Sequence, residues 1–551
     1  MCGIFAYVSL TSLDVVNSSW NSSNTINNKT KSNKIQHRGP DSTTNLQIDS
    51  NVFFSFHRLA INGLDEISNQ PMELEGIHLI CNGEIFNFKQ LIYEHSFENV
   101  YRSNSDCEII LHLYKKYGIY KTCELLDGEF SFVIYDSTKK EIHIARDPLG
   151  IRSLYWNSNL NDICISSELK STIDNTTSNQ SNIVQFPTGT IQTVRISPFT
   201  LEYNEPIRFF YKHLNPEYKS YEEQVFETDE SVIISNIRDL FTKAVNKRLL
   251  SDRKIACLLS GGLDSTTVCA LVASKFPEYS IDTYSIGLKG SVDLHYAKIA
   301  ADYFKTNHTS IEVSVTEFLN AIEKTIIQIE SYDTTSVRAS IGNFLISLYI
   351  NENSDNKVIF CGDVSDEIFG SYRGFYYAPS DKEFYEENVK LLENIQYFDV
   401  LRSDKSISGA GLEARVPFSD HEFLHYCMKI HPSLKRFGPE KMEKYLFRKA
   451  FEDMMPTELV WRVKTAFSDG VSSSENPWFE ILKEYIDNIY TDELYEELRL
   501  KYTHNMPDSK ESLYYREIYE KHYPDTAHTI PYLWKQPFTS SVDPSAWSLS
   551  T

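Results

Sequence analysis

The stretch KIACLLSGGLDSTTVCALV, residues 254–272, constrains the fold more than any other part of the chain. An apolar run ends at Ser260, two glycines follow, and an apolar segment opening at Leu263 has helical spacing. A buried strand that breaks at a glycine turn and passes directly into a helix is one unit of a parallel sheet, whose crossover helices cover its faces. Glycines let the backbone approach a ligand closely, and the helix N-terminus offers free N–H donors and partial positive charge. Such a turn suits phosphate. The plainer reading is a glycine turn with a Ser/Asp helix cap.

The surrounding sequence repeats that texture. From about residue 231, IISNIRDLFTKAVNKRLL reads as a helix, IDTYSIGL, HTSIEVSV and KVIFCGD as strands, and LHYAKIAADYF and two stretches over 316–350 as helices. Alternation of this kind predicts an α/β domain with a parallel sheet. Residues 1–170 instead offer short alternating or apolar runs (GIFAYV, NVFFSFHRLAI, GIHLICNG, GEFSFVIYD, EIHIARD, DICISSE) separated by turn residues, which predicts a strand-rich α+β domain. The pattern weakens into Ser, Thr, Asn, Pro and acidic residues over 171–230. The division expected is therefore a first domain over 1–205, a linker over 206–230 and a second domain over 231–551. NSSWNSSNTINNKTKSN, residues 17–33, is nearly devoid of apolar content and is expected to be a mobile loop.

Charge narrows the function. With 76 acidic against 54 basic residues, the 551-residue chain carries a formal −22, which repels nucleic acid and anionic membrane surfaces. No run approaches the ~18 consecutive apolar residues of a membrane helix, and MCGIFAYVSL lacks the basic region and cleavage site of a signal peptide. Nine scattered cysteines without a CxxC pair read as reduced thiols of a cytoplasmic protein.

Cys2 is the first candidate for chemistry. Removal of Met1 would leave it with a free α-amine, and an amine titrating near pH 8 can serve as the thiol's own base. HRGPD (37–41), FHRLAI (56–61), CNGEIFN (81–87), SDCE (105–108), LDGEFSF (126–132) and RDPLGIRSLY (146–155) follow in order. Asn82 and Gly83, at the end of an apolar strand, can offer a side-chain amide and a backbone N–H to a developing oxyanion. Arg58 suits a substrate carboxylate and Asp106 a substrate ammonium. As an ordered set these motifs resemble the class II glutamine amidotransferases, which use an N-terminal nucleophile on an αββα fold.

SGGLDS (260–265) resembles the PP-loop of ATP pyrophosphatases. An amidotransferase domain followed by a PP-loop domain resembles the glutamine-hydrolysing asparagine synthetase family, eukaryotic type. Further matches are YDTTSVRAS (332–340), CGDVSDEIFG (361–370), LRSDKSISGAGLEARVPFSDH (401–421), RVKTAFSDGV (462–471) and the tail motifs YYREIYEKHYP and DPSAWSL; the segment 17–33 looks like an insertion. The resemblance implies hydrolysis of glutamine at Cys2 and internal passage of ammonia to a second site. There aspartate, activated by ATP with Mg²⁺ as β-aspartyl-AMP, becomes asparagine. It places glutamine on Arg58, Leu59, Ala60, Ile61, Asn62, Asn82, Gly83, Glu84 and Asp106. It places ATP on Leu259, Ser260, Gly261, Gly262, Asp264, Ser265, Ile286, Cys361 and Gly362, with Asp264 as a ligand of Mg²⁺ and diphosphate. Asp363 and Lys464 fall on catalytic positions, Lys464 facing the phosphates, and Arg338 and Asp366 near the aspartate and adenylate. Homodimerisation is a further implication.

The sequence departs from the family at several points. Asp363 stands where a glutamate is usual and Val364 where a glycine is usual; Val364 would be strained if that position requires positive φ. Asn62 and Ser336 replace a common valine and threonine. Relatives that cyclise or amidate another carboxylate, such as the β-lactam synthetases, share the layout, and a regulatory subunit with an inactive second site is a reading from a different class. HEFLH (421–425) fits a zinc-protease pattern, but no third ligand stands at a suitable spacing, so two histidines on one helix face is the reading preferred.

Overall fold

The computed structural model describes residues 1–10, 20–173, 182–209, 220–473 and 475–545. Among these residues the first half builds two antiparallel sheets. One runs, in spatial order, Ile183–Gln185, Tyr155–Ser158, Asp162–Ser166, Gly3–Ser9, Val52–Arg58, Ser42–Gln47. The other runs Leu201–Tyr203, Thr190–Ile196, Glu141–Arg146, Gly128–Asp136, Ile77–Ile85, Met72–Leu74, with Ile207–Arg208 paired to Thr190–Ile196.

Alternation explains why the sheets stack. Ile4, Ala6 and Val8 from one face, and Ile80, Val133, Ile142 and Ile144 from the other, meet in one buried cluster. The reverse face of the second sheet (Leu79, Cys81, Phe130, Phe132, Ile134) packs with the helix Ile109–Tyr117 in the larger core. The reverse face of the first sheet carries Phe5, Phe53 and Cys164 against Ile35, beside the helix Trp20–Asn33. The layers are helix, sheet, sheet, helix, as expected.

The helix Trp20–Asn33 corrects the expectation of a mobile loop over 17–33, of which residues 17–19 lie outside the described residues. Its sequence has little apolar content, but polar docking compensates. Ser32 is buried, and its hydroxyl lies 2.6 Å from Ser55 Oγ and 2.8 Å from His57 Nε2 on the strand Val52–Arg58. Tertiary contact overrides a weak local propensity here.

The second half holds a parallel sheet ordered Asn307–Val313, Asp282–Leu288, Lys254–Leu258, Asn356–Phe360, Glu413–Arg415. Its four long strands are those expected; the short edge strand Glu413–Arg415 was not. The helix Glu230–Lys247 opens this half, with Asp229 capping it by accepting the N–H groups of Ser231 and Val232. Leu263–Ala273 follows the first strand through a turn that only glycine fits. Gly261 has φ +70°, and a Cβ there would lie 2.4 Å from the Tyr296 carbonyl carbon.

The two halves meet across buried charge. Arg38, fully buried, reaches Glu168 at 2.9 Å and Asp404 of the second half at 2.9 Å. Asp404 also accepts from Ser153 Oγ at 3.0 Å. Arg152 and Arg248 grip opposite oxygens of Glu129 at 3.1 and 2.9 Å, and Arg248 continues to Asp420 at 3.0 Å. Lys405 pairs with Glu330 at 2.5 Å while donating to Tyr155 OH at 2.8 Å. Removing one partner from such a network leaves an uncompensated buried charge, at a cost of about 3–5 kcal/mol. Asp404→Ala is therefore expected to lower the unfolding free energy by an amount on this scale, read as a lower urea midpoint, and an unchanged midpoint would contradict the seam's role.

Candidate functional site

Cys2 opens the strand Gly3–Ser9, with its Sγ 3.6 Å from the carbonyl of Leu59. Burial pushes the thiol up to about 11, so a neighbouring base is needed for it to act as a thiolate at neutral pH. The ammonium of Met1, the residue whose removal would free the Cys2 amine, lies 3.5 Å from Glu413 Oε2. Asn82 is fully buried, and both its amide atoms lack a partner among the described residues. Buried amides are normally satisfied, so an orphaned one calls for a partner that the chain itself does not supply. Gly83 beside it cannot carry a side chain, since a Cβ would lie 2.4 Å from the Glu129 carbonyl oxygen.

The remaining glutamine candidates surround this point unevenly. Leu59, Ala60 and Ile61 are buried, and the Ala60 N–H is held by Asp41 at 2.9 Å. Asn62 donates to Glu84 Oε2, and Arg415 from the second half lies 3.3 Å from the same oxygen. Asp106 accepts the Ile85 N–H at 2.6 Å, and burial raises its carboxyl to about 6. Arg58 spends its guanidinium on the carbonyls of Asp65, at 2.9 Å, and Gly63, and among the described residues no carboxylate forms an ion pair with it.

The second site is a cleft at the C-terminal ends of the parallel strands, where such sheets bind ligands. Leu259, Ser260, Gly262, Asp264, Ser265, Ile286, Cys361, Gly362, Asp363, Asp366 and Lys464 all line it. Gly261 lies behind the lining, against Tyr296. Ser260 and Ser265 hydroxyls sit 3.0 Å apart across the turn, and Arg462 anchors it by donating to the Ser260 carbonyl at 3.2 Å.

Sequence reasoning found Lys464 but missed two further cations that give this cleft its character, Lys444 and Arg402. Lys444 bridges Asp264 at 2.5 Å and Asp366 at 2.6 Å, and Lys464 also pairs with Asp366. Burial opposes ionisation of Asp366, yet the two ammonium groups hold its carboxyl far below the usual carboxylate range. Arg402 reaches Asp363 at 2.8 Å and Asp399 at 2.5 Å. Lys444 lies in an unremarkable Lys/Glu-rich stretch, and nothing local distinguishes it from a solvated lysine. Asp264, a hard oxygen donor facing the cleft, fits Mg²⁺; its carboxylate would exchange Lys444 for the ion.

The two departures behave differently. Asp363 lines the cleft with its carboxylate taken by Arg402 and by Ser403 Oγ at 2.6 Å. Val364 has φ +78°, a costly conformation for a β-branched residue. It is held there by burial and by its N–H donating to Asp399 Oδ2 at 3.3 Å.

Arg338 is not brought to the cleft. Its guanidinium pairs with Glu511 (Oε1 at 2.7 Å) and Asp543 (Oδ2 at 3.0 Å), which corrects its placement near the adenylate: it fastens the C-terminal segment. The HEFLH histidines lie on one helix, His421–Met428. His421 joins Asp127 and Asp420 in a cluster of ligand-type atoms within 4.8 Å. Lys247, 2.6 Å from Asp127 and also in contact with Asp420, supplies the positive charge there, while Glu422 points to solvent.

Glu367 gives this site a signature in pH. Burial first, then the neighbouring Asp399 and Asp366, push its carboxyl up to about 8. A folded-state value above the unfolded one means that its contribution to stability is fully present below about pH 4.5 and is lost as pH rises through 8. Relative to the parent chain, Glu367→Gln should therefore gain stability as pH is raised across that window. Unfolding midpoints at several pH values test this, and a constant difference would refute it.

Residues 1–200 match the family described as glutamine amidotransferase domain, and residues 236–394 and 378–548 match the family described as asparagine synthase. The chain is 38% identical over 542 residues to asparagine synthetase [glutamine-hydrolyzing] of Gallus gallus, covering 94% of each chain. It is 38% identical to the protein of that name from Cricetulus griseus and 37% to that from Homo sapiens, in each case covering 94% of this chain and 95% of the relative. With both catalytic halves matched along nearly their whole length, this chain belongs to the glutamine-hydrolysing asparagine synthetase family.

Proposed function

We propose that this chain makes asparagine from aspartate with glutamine as nitrogen donor, at two sites that divide the chemistry between them. The observation that carries this reading is the pairing, in one chain, of Cys2 beside the Leu59 carbonyl and an unpartnered buried Asn82 amide with a PP-loop cleft lined by Lys444, Lys464 and Arg402. We assign residues 1–205 to the first domain, 206–230 to the connection and 231–551 to the second. Two features support this reading: the antiparallel ladder runs on through Ile207–Arg208, just past the first limit, and the first helix of the second half begins at Glu230.

At the first site, with Met1 removed, the Cys2 α-amine takes the thiol proton, the thiolate attacks the glutamine side-chain carbonyl, and the proton passes to the departing nitrogen. Asn82 and the Gly83 N–H receive the negative charge that develops on the carbonyl oxygen. Asp106 and Glu84 take the substrate ammonium and Arg58 its carboxylate, after Arg58 exchanges its present carbonyl partners for the ligand. Departure of ammonia leaves a thioester at Cys2, which water hydrolyses to glutamate. Ammonia travels inside the protein to the second site.

There the Ser260–Ser265 turn and the helix behind it cradle phosphate, with Leu259, Ile286, Cys361 and Gly362 bordering the nucleotide. The aspartate β-carboxylate displaces diphosphate from the α-phosphorus of ATP, forming β-aspartyl-AMP. Lys464 stabilises the charge on the phosphates as that bond breaks, and ammonia then displaces AMP. Asp264 would hold Mg²⁺, which when bound neutralises charge on the departing diphosphate. Asp363 and Asp366 border the reacting end, Asp366 fixing both lysines. Diphosphate and AMP are the anions this cationic lining suits.

The cytoplasm is the compartment we assign, consistent with nine free cysteines. Among the described residues, no helix is long and apolar enough to cross a membrane. A homodimer is part of the proposal on the family likeness alone.

The two sites should separate by mutation. Cys2→Ala is expected to abolish asparagine formation from glutamine while leaving formation from ammonium salts intact, both measured as asparagine released from aspartate and ATP. Equal loss of the two activities would refute the two-site assignment.

A further inference from the structure

One short strand of the second half touches both sites. Glu413–Arg415 is the edge strand beside Asn356–Phe360. Its main chain serves the nucleotide cleft: the Arg415 carbonyl accepts the Cys361 N–H at 3.1 Å and lies 3.6 Å from Cys361 Sγ. Cys361 and Gly362 form the cleft wall immediately after that hydrogen bond.

The Arg415 side chain serves the other site. Its Nη2 lies 3.3 Å from Glu84 Oε2, in the CNGEIFN segment. Its Nε donates to Glu413 Oε1 at 2.7 Å, and Glu413 in turn lies 3.5 Å from the N-terminal ammonium. Nη1 donates to the Arg248 carbonyl at 3.1 Å, and the guanidinium rests 5.6 Å from the centre of the Phe86 ring. Arg415 is fully buried and Glu84 nearly so, which excludes competing water. Glu84 has acidic neighbours in Asp106 and Glu413. A cation is required to keep three buried carboxylates together, and a planar guanidinium can orient two of them at once.

We propose that Arg415, although carried by the synthetase half, is a positioning residue for the glutaminase half-reaction: it holds Glu84 in the glutamine pocket and, through its carbonyl on Cys361, links glutamine binding to occupancy of the nucleotide cleft. The proposal rests on Glu84 belonging to the glutamine pocket. Nucleotide seated on Cys361 and Gly362 biases the position of the Arg415 main chain, and the same residue's guanidinium carries that bias to Glu84. The coupling is reciprocal, because two ligands that share one element must affect each other equally.

The test uses the full-length parent, Arg415→Lys, Arg415→Met, Glu84→Gln and Cys2→Ala. Glutamate release is measured against glutamine concentration, with and without ATP·Mg²⁺ and aspartate. Glutaminase activity surviving in Cys2→Ala would defeat the assignment of the glutamine site itself, separately from this proposal. With that control lost as expected, Arg415→Met should raise the glutamine KM by about tenfold or more with little change in kcat, since a charge-assisted contact is lost. Arg415→Lys should recover part of it, because charge remains without the fork geometry. In the parent, ATP and aspartate should shift the glutamine KM by about fivefold, and in Arg415→Met the shift should vanish. A parental glutamine KM in Arg415→Met, or kcat and KM for both nitrogen donors worsening together in Arg415→Lys, overturns the positioning role. A parent indifferent to ATP and aspartate overturns the link. If Arg415→Met fails to fold, Glu84→Gln removes the same ion pair with Arg415 in place. It should then show the raised KM and the lost ATP response, and parental values for both overturn the proposal.

Discussion

The buried ionic seam between the two halves is the interaction on which the rest depends. Desolvating so many charges is expensive, and a well-packed apolar interface would often be as stable or more so. What charge adds is register. Arg38 must meet Glu168 on one side and Asp404 on the other, and Glu129 must receive Arg152 and Arg248 together. An apolar face slides at little cost, whereas these pairs are satisfied in one arrangement. The distance between Cys2 and the nucleotide cleft is thereby fixed by electrostatics, and a reactive small molecule can pass between sites only if that distance does not wander.

The same logic operates within the cleft. The chain is strongly acidic, at −22, yet the cleft proposed for the nucleotide gathers Lys444, Lys464 and Arg402. Local field, not net charge, selects a polyphosphate. Without ligand these cations are neutralised by Asp264, Asp366, Asp363 and Asp399. Anionic substrate and a divalent ion can then exchange partners with the resident pairs, so that neither the lysines nor the carboxylates are left buried and uncompensated. Val364, strained at φ +78°, sits at the pivot of this arrangement, and Asp399 holds it.

What could be read from the sequence was what is encoded locally. The strand, turn and helix over 254–273 follow from periodicity and two glycines, and the alternating runs of the first half reported their sheets. Cys2, Asn82, Gly83 and the cleft residues from Leu259 to Lys464 were legible because short motifs carry them. Lys444 and Arg402 were not, because their role depends on carboxylates far away in the chain, Asp264 and Asp363. Arg415 lay within a motif, but its reach to Glu84 across the seam had no sequence signal. The helix Trp20–Asn33 was missed because polar docking through Ser32 sustains it against its composition. Arg338 was misplaced because its carboxylate partners, Glu511 and Asp543, lie in the C-terminal segment.

The central claim is that both sites work and that the nitrogen released at the first is consumed at the second. The most direct measurement is the yield of glutamate, AMP and asparagine from purified protein given glutamine, aspartate and ATP·Mg²⁺. The account predicts AMP and asparagine in equal amounts, with glutamate at least matching them. Glutamate formed without AMP would contradict it, and would mean a working glutaminase joined to a second site that Asp363 and Val364 have silenced or turned to another carboxylate.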